Sequence, residues 1–331
     1  MSGEEERYHR QRLIEGWNQE KIRCSRVFIA GVGALGSVVA LNLAMVGVGE
    51  LVLADYDVVE VSNLNRQLLF RESDVGRNKA EAAADFLSKV NPDVAVKAFP
   101  RDIAEVPKSE YKRCDVIVDG LDTLEARRWL NSLAIEMEKP LIHGGIYGWW
   151  GNVQVVVPYV TPCLECQPLV SKERLAQECT PAGERRRAAN TGIKEWTPAV
   201  VTVSCVVGGI QAQETVKVLL GVKPFNGYLF YDGLSGSFTL VELERNPKCV
   251  VCGEEYATRG VEFALDPDET VGSFKERVKA AWGLREPVKI VHSAKILSDE
   301  EVVGQVVKEG DTLFVYNQVR EKPIKVRVKF S

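Results

Sequence analysis

The stretch Arg26-Val-Phe-Ile-Ala-Gly-Val-Gly-Ala-Leu-Gly-Ser37 constrains this chain more than any other. Residues 27–30 predict a short apolar strand. Gly31, Gly33 and Gly36 follow at G-x-G-x-x-G spacing, and residues 34–46 continue as a mostly apolar helix that Gly47 and Gly49 can close. A strand, a glycine turn and a helix start make a phosphate site. Gly31 permits the tight turn, Gly33 lets a phosphate approach the backbone, and Gly36 lets the helix pack on the strand. The next strand, residues 51–54, runs into Asp55, a carboxylate 22 residues after Gly33, where a ribose hydroxyl would be bound. The unit is read as nucleotide-binding, and the glycines alone do not say which nucleotide.

A length of 331 residues predicts about two domains. Hydrophobic content of 45% is enough for a packed core. The formal charge of -4 gives no global basic field, which argues against non-specific nucleic-acid binding. The first ten residues are polar and charged, so no signal peptide is expected. Residues 140–164 lack Asp, Glu, Lys and Arg, but they hold His143, Asn152, Gln154, Pro158 and Pro162. They read as buried strands and turns, not as a membrane span. A second uncharged run, 197–213, reads as a buried helix. Four of the eight cysteines form two C-x-x-C pairs, which predicts metal binding in preference to disulfides. The expected protein is soluble and cytoplasmic, with neither nucleic acid nor membrane as a partner.

Residues 3–26 precede the first strand. Tyr8, Leu13, Ile14 and Trp17 predict a docked helix there, with Arg10 and Arg12 beside it. After Asp55 the chain reads Tyr-Asp57, then Ser62-Asn63-Leu-Asn65-Arg66-Gln67, a cluster that hydride transfer does not require. Lys79 falls in the first turn of a helix whose face is Ala83, Phe86, Leu87 and Val90, ended by Asn91-Pro92. A cation there opposes the helix dipole unless an anion shares the site. Strands are expected at 95–99, 116–118 and 141–143, with a helix at 124–138. Asp119 and Asp122 sit at the carboxyl end of the fourth strand, where doubly wound folds bind ligands. They read either as capping residues or, for one of them, as a Mg²⁺ ligand. His143 is either a satisfied core histidine or a chemical group.

Taken together, the glycine turn, Asp55-x-Asp57, Ser62-Asn-Leu-x-Arg66-Gln67, Gly76-x-x-Lys79 and the aspartates near 122 resemble the ubiquitin-activating enzyme family. That superfamily includes the ThiF/MoeB-like adenylyltransferases of sulfur carriers. The resemblance covers about residues 5–253. One position departs: Thr123 stands where the family usually has Asn. The resemblance implies that Gly31, Gly33 and Gly36 cradle ATP and that Asp55 holds its ribose. Asn63, Arg66, Gln67 and Lys79 would surround the phosphates, and Asp122 would bind Mg²⁺. Arg10 matches an arginine that reaches the partner's ATP across a homodimer. Fixed cations and Mg²⁺ suit a carboxylate attacking an α-phosphorus crowded by negative charge.

Cys163-Leu-Glu-Cys166 and Cys249-Val-Val-Cys252 each bring two thiolates to one side of a turn. Two such turns complete a tetrahedral four-cysteine zinc site with no open position, hence a structural metal. Cys24, Cys114 and Cys205 are expected to be buried. Cys179 lies in a polar stretch close to Arg185-Arg186-Arg187, which can lower its pKa. The family places its thioester-forming cysteine in this crossing loop, here about 167–197, often as Cys-Thr.

Further strands are expected at 228–231 and 238–243, then a linker at 254–259. From 260 the pattern changes. Val261, Phe263 and Leu265 alternate. Thr270 can cap a helix with Val271, Phe274, Val278 and Ala281 on one face, and strands follow at 288–291, 295–297 and 313–316. This segment resembles the ubiquitin fold, a β-grasp, but it ends Lys-Phe-Ser331 without Gly-Gly, so it is not itself a modifier. Only one strand precedes the helix where a ubiquitin fold has a hairpin. The alternating tail Ile324, Val326, Val328, Phe330 is expected to supply the missing strand, as in a circular permutation, or else to fray.

The expected architecture is a Rossmann-like, doubly wound α/β adenylation domain (1–253) and a small ubiquitin-fold domain (260–331). The expected function is ATP-dependent activation of a ubiquitin-like modifier ending in Gly-Gly, with a thioester on Cys179 and transfer to a conjugating enzyme that the C-terminal domain recruits. The alternatives are a sulfur-carrier adenylyltransferase, a nicotinamide dehydrogenase, which leaves Arg66, Lys79 and Asp122 idle, and an inactive scaffold.

Overall fold

The computed structural model describes residues 6–167, 198–249, 251–253, 261–282, 284, 288–292, 295–317 and 324–330. The chain divides into two compact units, Met1–Pro162 with Lys194–Glu244, and Cys163–Ile193 with Arg245–Ser331.

The first unit is an eight-stranded sheet in the order β3-β2-β1-β4-β5-β6-β7-β8. Strands β1 (Arg26–Ala30), β2 (Glu50–Ala54), β3 (Ala95–Phe99), β4 (Val116–Asp119) and β5 (Leu141–Tyr147) are parallel. Strands β6 (Trp150–Val156), β7 (Tyr228–Asp232) and β8 (Ser237–Val241) continue it antiparallel. Every residue of β1 and β4 is buried, which is why these strands read as unbroken apolar runs: helices cover both faces of a parallel sheet. The chain runs β1, β2, β3 to one side and returns to β4 on the other side of β1. The crevice of this fold therefore opens at the carboxyl ends of β1 and β4.

The N-terminal segment is two short helices, α1 (His9–Arg12) and α2 (Gln19–Arg23). Tyr8 is buried, but Leu13 and Ile14 are exposed by 73% and 56%, so the expected docking holds for only part of the apolar face. Helix α3 (Ala34–Val46) ends at Gly47 with φ 85°, the left-handed cap that Gly adopts freely. Next come α4 (Lys79–Val90), α5 (Lys108–Arg113), α6 (Leu124–Glu136) and α7 (Val201–Leu220). The uncharged run 140–164 resolves into the β5–β6 hairpin, in which β5 runs four residues past His143. Helix α7 packs on α3 and on β5, and Ala212, Val203 and Val207 join the core with Leu35, Val39 and Leu43.

The second unit holds a five-stranded sheet in the order β11-β10-β12-β13-β9. Its elements are β9 (Val261–Leu265), α8 (Val271–Trp282), β10 (Val288–His292), β11 (Lys295–Ile296), α9 (Val303–Val306), β12 (Thr312–Asn317) and β13 (Ile324–Phe330). Phe274 and Val278 of α8 pack on Leu265, Leu313, Val315, Val326 and Val328. The tail does supply a strand, and an interior one: β13 lies between β12 and β9. Its polarity is not that of a permutation. In a permuted hairpin β13 would run antiparallel to the strand that enters the helix, whereas β13 is parallel to β9, with Val326 opposite Val261 and Phe330 opposite Leu265. β13 is antiparallel to β12, so it runs through the vacant slot in the direction opposite to that of a permuted hairpin strand.

Among the described residues, no helix is long and apolar enough to cross a membrane.

Candidate nucleotide site and metal centre

The three glycines divide their work by space. Gly31 has φ +81°, and a Cβ there would lie 2.9 Å from Gly120 O. A Cβ on Gly36 would lie 1.9 Å from Gly31 O, so α3 closes on the turn only because this residue has none. At Gly33 the nearest neighbour of such a Cβ is Gln67 Nε2 at 3.8 Å. The turn is therefore packed at Gly31 and Gly36 and open at Gly33, where a phosphate needs room. Gln67 is buried, and its Oε1 has no hydrogen-bond partner among the described residues, which leaves an acceptor awaiting a donor beside the open glycine.

Asp55 follows β2. Its carboxylate accepts the N–H of Val32 at 2.8 Å and the N–H of Asp57 at 2.9 Å. Burial raises its pKa, with Lys79 and the two N–H donors opposing. Lys79 is the first residue of α4, and its side chain is 9% exposed. The anion that such a position requires is Asp57, whose Oδ2 lies 2.8 Å from Lys79 Nζ. Asn78 had no role in the sequence reading, although Asn one residue before a helix is a cap signal. Its Oδ1 accepts the N–H groups of Ala80 and Glu81, and its Nδ2 donates to Asp55 O and Asp57 O, which ties α4 to the Asp55–Asp57 loop.

The other expected residues line the following loop. Asn63 is buried, and its Oδ1 accepts the N–H of Glu60. Arg66 is half-buried and donates from Nη1 to Ser62 O at 2.7 Å and to Asn65 Oδ1 at 3.0 Å. Asp122 is exposed just before Thr123, and Thr123 caps α6 by accepting the N–H of Ala126, a role that Asn can also fill. The ring of Tyr56 is 65% exposed at the rim. Partial burial of its phenol, then the charges of Asp57, Asp122, Asp102 and Asp55, push it up to about 12. Arg10 is exposed on α1, and none of the described hydrogen bonds links it to the glycine turn.

Two fits follow for metals. Among the described residues Asp122 belongs to no cluster of three or more ligating side chains. A Mg²⁺ ion there fits only in the manner usual for that ion, with one carboxylate and the remaining positions filled by phosphate oxygens and water. The four cysteines of the second unit are different. Cys163, Cys166, Cys249 and Cys252 are all buried and present sulfurs within 4.8 Å of one another. Neighbouring Sγ atoms lie at 3.6 Å (Cys163–Cys249), 3.9 Å (Cys163–Cys166) and 3.2 Å (Cys166–Cys252). A tetrahedron of Zn–S bonds of about 2.3 Å has edges of about 3.8 Å, so this set fits a closed four-thiolate zinc site. Hydrogen bonds among the four, first from Cys163, lower the Cys249 and Cys166 thiols, while Cys163 and Cys252 are raised.

The remaining cysteines are corrected in part. Cys114 is buried, and burial raises its thiol to about 12. Cys24 and Cys205 are exposed. Cys24 caps the end of α2 and points to Glu20, and Cys205 lies on the face of α7 turned away from buried Val203, Ser204 and Val207. Cys179 and the linker 254–259 lie outside the described residues, as does the crossing loop apart from residue 167.

Comparison with known proteins bears on the family. The sequence model of the ThiF family matches residues 8–251. A sulfur carrier protein adenylyltransferase of Thermus thermophilus is 37% identical over 77% of this chain and 93% of its own length. A NEDD8-activating enzyme E1 catalytic subunit of Caenorhabditis elegans is 25% identical over 94% of this chain and 91% of its own. Among solved structures, Escherichia coli MccB crystallised with ATP is 26% identical, with a TM-score of 0.58 over 71% of this chain and 68% of that one.

Proposed function

The chain belongs to the ThiF family, and from that premise we propose that it is an ATP-dependent adenylyltransferase that activates a ubiquitin-like protein for conjugation. The substrate's C-terminal carboxylate attacks the α-phosphorus of ATP. An acyl–O–P bond forms, the bond to the β-phosphate oxygen breaks, and pyrophosphate leaves. Lys79 and Arg66 supply fixed positive charge to that centre, Asp55 holds the ribose, and Gly33 leaves room for the phosphates. Asp122 would hold a Mg²⁺ ion, which would supply charge neutralisation at the phosphates.

A protein substrate is supported by the outermost strand of the first unit's sheet, β8. Phe238 and Leu240 of β8, Leu234, and Trp149 and Trp150 at the β5–β6 turn are all exposed, an apolar patch of the kind that protein partners cover. In the second step the Cys179 thiol first gives its proton to solvent, the thiolate attacks the acyl carbonyl to form a C–S bond, and the acyl C–O bond breaks as AMP leaves. The modifier then moves to a conjugating enzyme brought close by the C-terminal domain. A homodimer would add Arg10 to the partner's site.

One observation carries conjugation over simple adenylation. A match to 94% of this chain must run well past residue 251 into the C-terminal unit, and a NEDD8-activating subunit is a relative with that reach. Activation of a sulfur carrier, giving a thiocarboxylate, is the second reading, favoured by the higher identity of the Thermus relative.

The test is modifier-dependent exchange of pyrophosphate into ATP, followed by non-reducing electrophoresis. Conjugation predicts exchange plus a thiol-sensitive adduct that Cys179→Ala removes while Cys205→Ala keeps. Exchange without any adduct selects the sulfur-carrier reading, and NAD binding without exchange overturns both.

A further inference from the structure

We propose that His143 and Arg127 are positioning residues that hold the loop carrying Asp122 at the nucleotide. The inference rests on Asp122 being the Mg²⁺ ligand proposed above.

The loop after β4 is short: Gly120, Leu121, Asp122, then the capping Thr123 of α6. One side of it cannot move, because Gly120 packs against Gly31 O, where even a Cβ would come to 2.8 Å. Its middle residue is gripped at both backbone groups by two different elements. The N–H of Leu121 donates to Asp119 Oδ1 at 3.0 Å. The carbonyl of Leu121 receives two bonds from Arg127 of α6, from Nε at 2.9 Å and Nη2 at 2.6 Å. With the peptide groups on both sides of Leu121 fixed, the backbone entering Asp122 has one direction.

The first grip depends on a third residue. Asp119 is wholly buried, and its second oxygen, Oδ2, lies 2.7 Å from Nδ1 of His143 on the neighbouring strand β5. A carboxylate only accepts, so Nδ1 carries the proton. Gln211 of α7 donates to the backbone oxygen of Asp119 at 2.9 Å and fixes the main chain there. Among the described residues His143 is the side chain that holds the carboxylate's rotation, and that rotation decides whether Oδ1 faces the Leu121 N–H. A buried carboxylate without this partner would turn toward any other donor, because an unmet charge is costly in the interior.

Satisfying Asp119 would be reason enough for a histidine at this place. The two roles separate in the metal dependence of nucleotide binding. Binding of ATP is measured by calorimetry in Mg²⁺ and in EDTA, and the ratio of the two dissociation constants reports the metal's contribution, which is reciprocal between the two ligands. His143→Leu and Arg127→Met should each reduce that ratio by about tenfold, with the EDTA value within about twofold of wild type. His143→Asn, whose Nδ2 sits where Nδ1 was, should keep the wild-type ratio. Asp122→Asn should bring the ratio close to one.

If Asp122→Asn leaves the ratio unchanged, the metal reading falls and the proposal with it. If Asp122→Asn collapses the ratio while His143→Leu and Arg127→Met do not, the reading stands and the clamp is overturned. A uniform loss of ATP affinity in both media for His143→Leu and His143→Asn alike also overturns it. Should His143→Leu not fold, Arg127→Met tests the same loop from its other side.

Discussion

Lys79 and Asp57 are joined twice: the ammonium lies 2.8 Å from the carboxylate, and the Lys79 N–H donates to the Asp57 carbonyl at 2.9 Å. The pair puts a buried cation at the positive end of a helix, a place that on its own repels it. The two partners are not equivalent, because the Lys79 side chain is 9% exposed and that of Asp57 47%.

That asymmetry gives the first prediction. Asp57→Ala leaves an ammonium buried without its counterion, whereas Lys79→Ala leaves a carboxylate that water can reach. Asp57→Ala should therefore cost more stability in urea denaturation, by about 1–3 kcal/mol. Lys79→Ala should be the more damaging to chemistry, lowering pyrophosphate exchange by about 10²–10³. A stable Asp57→Ala variant beside a badly destabilised Lys79→Ala would contradict this division.

Asp55 supplies a pH dependence of definite sign. Burial raises its folded pKa above the ordinary 3.8, so the folded state holds a proton more tightly than the unfolded state. From that group alone, stability falls as pH rises from 3.8 through the folded pKa, and the ionised form carries the cost at neutral pH. Asp55→Asn should flatten this part of the stability curve and weaken ATP binding. The check is chemical denaturation of both proteins between pH 4 and 7. A wild-type minus variant difference that grows more favourable to the wild type with rising pH would reverse the sign.

The nucleotide half of the site was legible because its constraints are local. Gly31, Gly33, Gly36 and Asp55 are set by one strand–turn–helix unit, and the need for an anion near Lys79 follows from its helix position. What stayed hidden depends on strand register. Asp119 and His143 are 24 residues apart, and only the parallel pairing of β4 with β5 makes them neighbours. Burial of lone cysteines was misjudged for a similar reason. Cys205 sits in an apolar helix, but which face of α7 meets the core is decided by the sheet, not by the helix's own composition. The four zinc cysteines were readable across a long gap because C-x-x-C fixes geometry within each pair.

The second unit should hold one zinc per chain by elemental analysis. Cys163→Ser with Cys249→Ser should abolish it, since together they remove one thiolate from each turn. Loss of metal should lower the stability of the second unit and leave the ATP affinity of the first within about twofold, because all four ligands belong to the second unit. A metal content near zero in protein prepared without chelator would refute the site.

The C-terminal strand carries the sharpest structural prediction. β13 is interior to its sheet, so it satisfies backbone groups of both β12 and β9, and its inward residues Ile324, Val326 and Val328 are at most 8% exposed. Burying three such side chains stabilises by about 5–9 kcal/mol at about 1.5–3 each. That is comparable to the whole stability of a small domain, about 5–15 kcal/mol. Deleting residues 322–331 from the full chain should therefore unfold the small sheet and leave the first unit's ATP binding intact. Calorimetry should lose the thermal transition of the small sheet, and limited proteolysis should cut freely after residue 260. Strand polarity is read separately in the intact protein. Nuclear Overhauser contacts should link Val326 with Val261 and Phe330 with Leu265, advancing in the same direction along both strands. Contacts that pair Val326 with Leu265 and Phe330 with Val261 would mean an antiparallel tail and restore a simple permutation.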